Sequence, residues 1–213
     1  APDSALSGAS NIQNAKKINI YNQMAQTLMG HSISGTILRF SRDGKVIGGS
    51  RNMKECIFMN CSRLLVKDEI KKGSFTLKLG VNPYYLKPFR NSIIKIQDTN
   101  AQNDYRVNSP AGEYGVLYAT TSVGNTSMVK GELSTTGVQP AAVLLYYQAG
   151  IAVLSGSIFN TTSSGGLIKN IDTDPDLGLE LGQGLGLVGF SAITASTMDV
   201  MNTGLRQRIY NIS

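Results

Sequence analysis

The 213-residue chain has no tryptophan, one histidine and two cysteines. Each scarcity removes a class of chemistry. A Ser-His-Asp triad would have to use His31, and Gly30-His31-Ser32 carries no nucleophile-elbow signature. His31 instead follows the first helical pattern, at the negative end where an imidazole is favoured. One histidine and no CxxC leave zinc without a ligand set. Cys56 and Cys61 lie five apart, a spacing that puts them on opposite faces of a strand and disfavours a disulfide within it. They read as ordinary buried thiols, consistent with assembly in a reducing cytosol. Charge is also scarce, at 16% of residues against about 25% in soluble domains. The formal net charge is +6, but the basic residues are dispersed apart from the Lys67–Lys72 group and the Arg206/Arg208 pair. A nucleic-acid binder gathers them on one face, so the reading is a mildly basic surface with no nucleic-acid partner. Ala1-Pro2-Asp3-Ser4 has neither the charged nor the apolar region of a secretory signal.

What is plentiful is Gly, Ser, Thr and Asn, together with one long uncharged window. No charge falls between Glu132 and Lys169, and Val138–Phe159 is the most apolar stretch. The window is long enough to cross a bilayer, which takes about 20 apolar residues. Its interior nevertheless holds Tyr146, Tyr147, Gln148, Gly150, Ser155, Gly156 and Ser157, and no Lys/Arg cluster flanks it. A β-hairpin fits better: Val143–Tyr147 as one strand, Gln148-Ala149-Gly150 as the turn, Ile151–Leu154 as the return. A buried helix is the third reading, since periodicity alone does not separate it from a strand buried on both faces.

Along the chain, residues 1–15 read as a flexible arm. Lys16–Met29 is a helix with Ile18, Tyr21, Met24/Ala25 and Leu28 on one apolar face, Asn14 as cap and Gly30 as stop. Thr36–Phe40, Asp43-Gly44 and Lys45–Ile47 give a hairpin signal. Further strands are expected at Cys56–Met59, Phe75–Leu79, Ile93–Ile96, Tyr105–Val107 and Tyr114–Thr120. Residues 160–193 are rich in Gly, Ser and Asp and read as an interaction loop. Thr194–Tyr210 reads as a closing helix. The expected organisation is thus an arm at 1–15, a β-rich core domain at 16–159, the loop at 160–193 and a C-terminal helix within 194–213. The fold class is mainly β, an antiparallel sandwich or barrel-like form with one helix near each end, with α+β as the fallback. The chain stops just after that helix and opens without Met, so it is read as incomplete.

Two motifs invite chemistry. Gly184-Leu-Gly186-Leu-Val-Gly189 matches a dinucleotide fingerprint but follows a Gly-rich run in place of a strand, and the pliable-loop reading is preferred. Asp172, Asp174, Asp176 and Glu180 alternate as calcium ligands do, yet the glycine and glutamate fall at the wrong loop positions. A solvated acidic turn is preferred there. No cofactor, small-molecule substrate or catalytic residue is expected.

The runs Asn103-Asp104-Tyr105-Arg106-Val107, Tyr114-Gly115-Val116-Leu117-Tyr118-Ala119 and Leu145–Ser155, together with Gly35–Gly44 and Thr203–Tyr210, resemble virion structural proteins. These belong to tailed, myovirus-like bacteriophages of marine bacteria and cyanobacteria, and the likeness spans most of residues 17–210. It implies a non-enzymatic particle component of the tail, baseplate or neck, assembled in the host cytoplasm with copies of itself and other virion proteins. The same relatives run past the equivalent of Ser213, and the likeness brings no catalytic residues. Candidate interface residues are Tyr114, Tyr118, Tyr146, Tyr147, Ile151 and Val153, from the apolar strands. The alternative is a receptor-binding adhesin or fibre segment, with Tyr84, Tyr85 and the Asp172–Glu180 loop meeting host glycans. A membrane-active protein using 138–159 is a further reading.

Overall fold

The computed structural model describes residues 12–42, 44, 52–61, 69–80, 88–89, 93–98, 105–121, 141–156 and 198–212. These residues form antiparallel strands with a helix near each end, so the fold is mainly β. They fall into two compact units. The first is drawn from Ala1–Phe75, Asp98–Tyr118 and Ala141–Gly156, the second from Thr76–Gln97, Ala119–Pro140 and Ser157–Ser213.

In the first unit, helix α1 (Ile12–Leu28) precedes a sheet with the order β1 (Cys56–Asn60), β7 (Ile151–Ser155), β6 (Ala141–Tyr146), β5 (Tyr114–Thr121). The two-residue strand β4 (Tyr105–Arg106) also pairs with β5. The strands β6 and β7 are the hairpin foreseen in the uncharged window, with Leu144 opposite Val153 and Tyr146 opposite Ile151. The strand ends one residue early, so Tyr147 belongs to the turn. Gly150 takes φ 66, a left-handed conformation costly to a side chain, and its N–H donates to Tyr146 O at 2.9 Å.

Register explains the packing. Tyr114 and Val116, Leu144 and Tyr146, Val153, and Phe58 fall on one face, because each sits opposite the next across the ladder. That face meets α1 through Tyr21, Ala25, Leu28 and Met29. Tyr21, Ala25 and Leu28 of the helical stripe read from the sequence are buried, Met24 packs beside them, and Ile18 is half-buried. The helix begins at Ile12, which places Asn14 inside it and not at its cap. The opposite face carries Ile57, Leu117, Val143, Leu145, Ala152 and Leu154, and these are buried too. Burial on both faces is why the window reads as continuously apolar and does not alternate. Each such aliphatic side chain contributes roughly 1.5–3 kcal/mol of transfer free energy.

Gly30 ends α1 at φ 78, with Met29 N–H and Gly30 N–H both donating to Ala25 O. A Cβ there would lie 3.3 Å from Pro110 Cγ. Gly30→Ala is expected to cost about 1–2 kcal/mol, from left-handed strain with a tight contact added. A urea titration followed by far-UV circular dichroism reads this.

The Asp-Gly hairpin differs from expectation. Gly44 N–H does donate to Ser41 O at 3.1 Å and Gly44 has φ 67. But Thr36–Phe40 is not a strand: isolated bridges join His31 to Ile37 and Ser41 to Asn52. Met53 N–H donates to Phe40 O at 2.8 Å, a pairing that keeps both side chains in the core beneath Tyr21. Lys45–Ile47 lies outside the described residues.

In the second unit, β2 (Thr76–Gly80) is flanked by β3 (Ile93–Gln97) and β8 (Ile209–Ile212), all antiparallel. Leu77, Leu79, Ile94 and Ile96 are buried, as the alternation required. Helix α2 (Met198–Arg208) stops at Arg208, and the expected continuation to Tyr210 is a strand. The β-branched Ile209 pairs with Leu79 and Ile212 with Leu77, so sheet pairing overrides the helical period. At that junction Arg208 is fully buried and donates from Nη1 to Gly80 O at 3.1 Å. Burial lowers its pKa to about 10, which leaves it charged at neutral pH.

Candidate functional site

Of the tyrosines proposed for contact with neighbours, those whose side chains are described pack within their own chain. Tyr114, Tyr146, Tyr147 and Val153 are fully buried, and Ile151 is half-buried. Tyr118 has its backbone in β5, and its side chain lies outside the described residues. The Tyr114 and Tyr146 rings stack at 4.9 Å with 27° between planes. The Tyr114 hydroxyl is shared between Asn108 Oδ1 at 2.9 Å and Gly44 O at 3.1 Å, and Tyr146 donates to Met29 Sδ at 2.9 Å. Desolvation raises the Tyr146 phenol well above its ordinary range, so it stays neutral. The hairpin is thus buried within its own chain.

The calcium candidates Asp172, Asp174, Asp176 and Glu180, the glycines at 184–189 and the Tyr84/Tyr85 pair all lie outside the described residues. Among the described residues no group of three or more His, Cys, Asp or Glu is placed to hold a metal ion. His31 is exposed at the loop after α1. Residues 141–156 form a hairpin and its flank, so that part of the uncharged window is not a membrane helix. No helix among the described residues is long and apolar enough to cross a bilayer.

A polar cluster gathers around Asp98. Asp98 is 4% exposed. Its Oδ1 accepts from the Tyr147 hydroxyl and its Oδ2 from Gly73 N–H, each at 2.9 Å. Its own N–H donates to Phe75 O at 3.2 Å. Outside this clasp, Lys72 pairs with Glu113 and lies 4.0 Å above the Tyr105 ring. Burial pushes the Asp98 carboxyl above its ordinary value, against the opposing pull of Gly73, Tyr147 and Lys72. Glu113 holds the Lys72 ammonium above its ordinary value. Gly115 is needed beside the clasp, because a Cβ there would collide with the Tyr147 hydroxyl.

The second feature is the outer edge of β1. Cys61 N–H donates to Gly150 O and Gly156 N–H to Glu55 O, each at 2.8 Å. Both bonds join directly opposed residues in the β1–β7 register. The odd-numbered residues of β1 therefore point their main-chain groups at β7, and Cys56, Phe58 and Asn60 point theirs away. Strand β1 stands at the end of the sheet order. Among the described residues, no ladder or turn hydrogen bond reaches those outward groups. Cys-Ile-Phe-Met-Asn also has no charge, proline or bulge, the usual means of blunting an edge.

Comparison with protein-family models, curated proteins and solved structures finds no match. Function must therefore be argued from the chain itself. The cysteines are free thiols, half-buried, and desolvation raises both pKa values, which disfavours the reactive thiolate. The clasp holds the first unit together. Strand β1 is the outer strand at one end of the sheet order. Neither is legible locally: Asp98 meets Tyr147 across 49 positions, and β1 pairs with a strand more than 90 residues on. The available signal for the edge was the absence of charge in Cys56–Asn60.

Proposed function

We propose that this chain is a structural protein of a tailed-bacteriophage particle, placed in the tail, baseplate or neck, which works by associating with copies of itself and with other virion proteins. The observation that carries an assembly role is the uncharged edge of β1, unpaired among the described residues, on a sheet whose two faces are already filled. An unpaired strand edge gains most by pairing with another strand. The low charge of 16% supports the same reading, because surface that will be covered by neighbours carries few charges. The likeness of Tyr105–Val107, Tyr114–Ala119 and Leu145–Ser155 to phage virion proteins supplies the setting. Cross-linking of purified particles, followed by mass spectrometry of the linked peptides, tests it. The expected result is this chain in stoichiometric amounts, linked to itself and to tail or neck proteins. Its recovery only from host membranes, or its absence from particles, overturns the reading.

A further inference from the structure

The outward groups of Cys56, Phe58 and Asn60 offer alternating donors and acceptors on a five-residue strand. We propose that this edge takes β1 of a second copy of the chain, antiparallel, with Phe58 facing Phe58 of the second copy across a two-fold axis. The inference rests on the assembly reading and names its occupant. In this register Cys56 faces Asn60 of the second copy, and all three outward residues of each strand find outward partners. The ladder supplies up to about six hydrogen bonds.

The side chains agree with that register. Ile57 meets Met59 of the second copy on one face, apolar against apolar. Phe58 meets its counterpart on the other face, beside the Tyr21 and Phe40 rings at 6.5 and 5.6 Å. Charge decides between a copy and a foreign peptide. Strand β1 carries none, so nothing in it selects an acidic or basic segment, and two copies meet without like-charge opposition at the strand. Glu55, just before it, comes opposite Cys61 of the second copy, again without repulsion. A two-fold pairing of like edges also closes on itself. The sheet is then extended across the dimer with no new edge at the join, and no open fibre follows.

Sedimentation of the full-length chain over a wide concentration range tests this, using Asn60→Pro and Met59→Lys. Proline at 60 deletes an outward N–H and leaves the bonds to β7 intact. Lysine at 59 sets a charge against Ile57 of the second copy. The native chain is expected to form a dimer, weakened roughly tenfold or more by Asn60→Pro, which removes one ladder bond at each of two equivalent sites. Met59→Lys gives a second, independent loss. Ile33→Asp, at a fully exposed loop position away from β1, leaves the dimer unchanged. Far-UV circular dichroism establishes that each variant is folded. A native chain that stays monomeric, or a dimer indifferent to both β1 substitutions, overturns the proposal. So does a monomer whose entry into particles is blocked by Asn60→Pro, because the edge then belongs to a different virion protein. Particle cross-linking separates the two readings: a monomer still found in particles sinks the dimer alone, and a dimer missing from particles sinks the virion assignment alone.

Discussion

Tyr146→Ala is expected to cost about 3–5 kcal/mol, enough to unfold much of the first unit at moderate urea. The ring is fully buried, stacked on Tyr114 at 4.9 Å and opposite Ile151 in the hairpin ladder. Truncation leaves a cavity between α1 and the sheet, at the point where Tyr21, Met29 and Tyr114 converge. Interiors packed to crystal density relax only partly around such a loss. Tyr146→Phe isolates the polar part. It keeps the ring and removes only the bond to Met29 Sδ, so the expected cost is under about 1.5 kcal/mol. The chain has no tryptophan, so the titrations are read by far-UV circular dichroism. A Tyr146→Ala protein within 1 kcal/mol of native, on the scale of that measurement, would show that the stack does not hold the helix to the sheet.

Tyr146 also marks where the sequence speaks clearly. The run from Val143 to Leu154 is aliphatic and aromatic, broken once, by the turn Gln148-Ala149-Gly150. Each property acts on the strand itself or on its immediate turn, so the hairpin was legible without its surroundings. The same holds for the Tyr21, Ala25, Leu28 stripe and for the alternation at Phe75–Leu79. Where the outcome depended on a distant partner, local pattern failed. Ile209 and Tyr210 continue a helical period, yet Leu79 recruits them into β8. Phe40 and Ser41 follow a strong hairpin cue but pair with Asn52 and Met53. The tyrosines resembled interface residues because an aromatic strand looks alike whether its own helix or a neighbour covers it. Here α1 covers the Tyr114 and Tyr146 face, and the candidate contact site moves to β1, whose edge position depends on sheet order alone.

Asp98→Ala is expected to cost about 2–4 kcal/mol, and Asp98→Asn less than about 1 kcal/mol. Alanine strands the buried Tyr147 hydroxyl and frees Gly73 N–H, the two groups that the carboxylate accepts from at 2.9 Å. Asparagine keeps the pattern: its oxygen takes the Gly73 N–H and its NH2 donates to the Tyr147 oxygen. The native carboxyl adopts that same arrangement when protonated, with the proton on Oδ1. The pH dependence follows from this. Burial raises the folded-state pKa of Asp98 above its ordinary value of 3.8, so the native state takes up its proton before the unfolded chain does. With more protons bound in the native state, the slope of unfolding free energy against pH is negative. The Asp98 contribution therefore makes the protein more stable as pH falls through the raised pKa toward 3.8, and is flat above that window. This is opposite to the usual ion-paired carboxylate. Because Asp98→Asn cannot titrate, subtracting its stability profile from that of the native chain isolates the effect. The difference should be constant at neutral pH and grow in favour of the native chain on acidification. Parallel profiles would show that the carboxyl is not desolvated. Asp98→Ala at native stability would show that the clasp does not hold the first unit together.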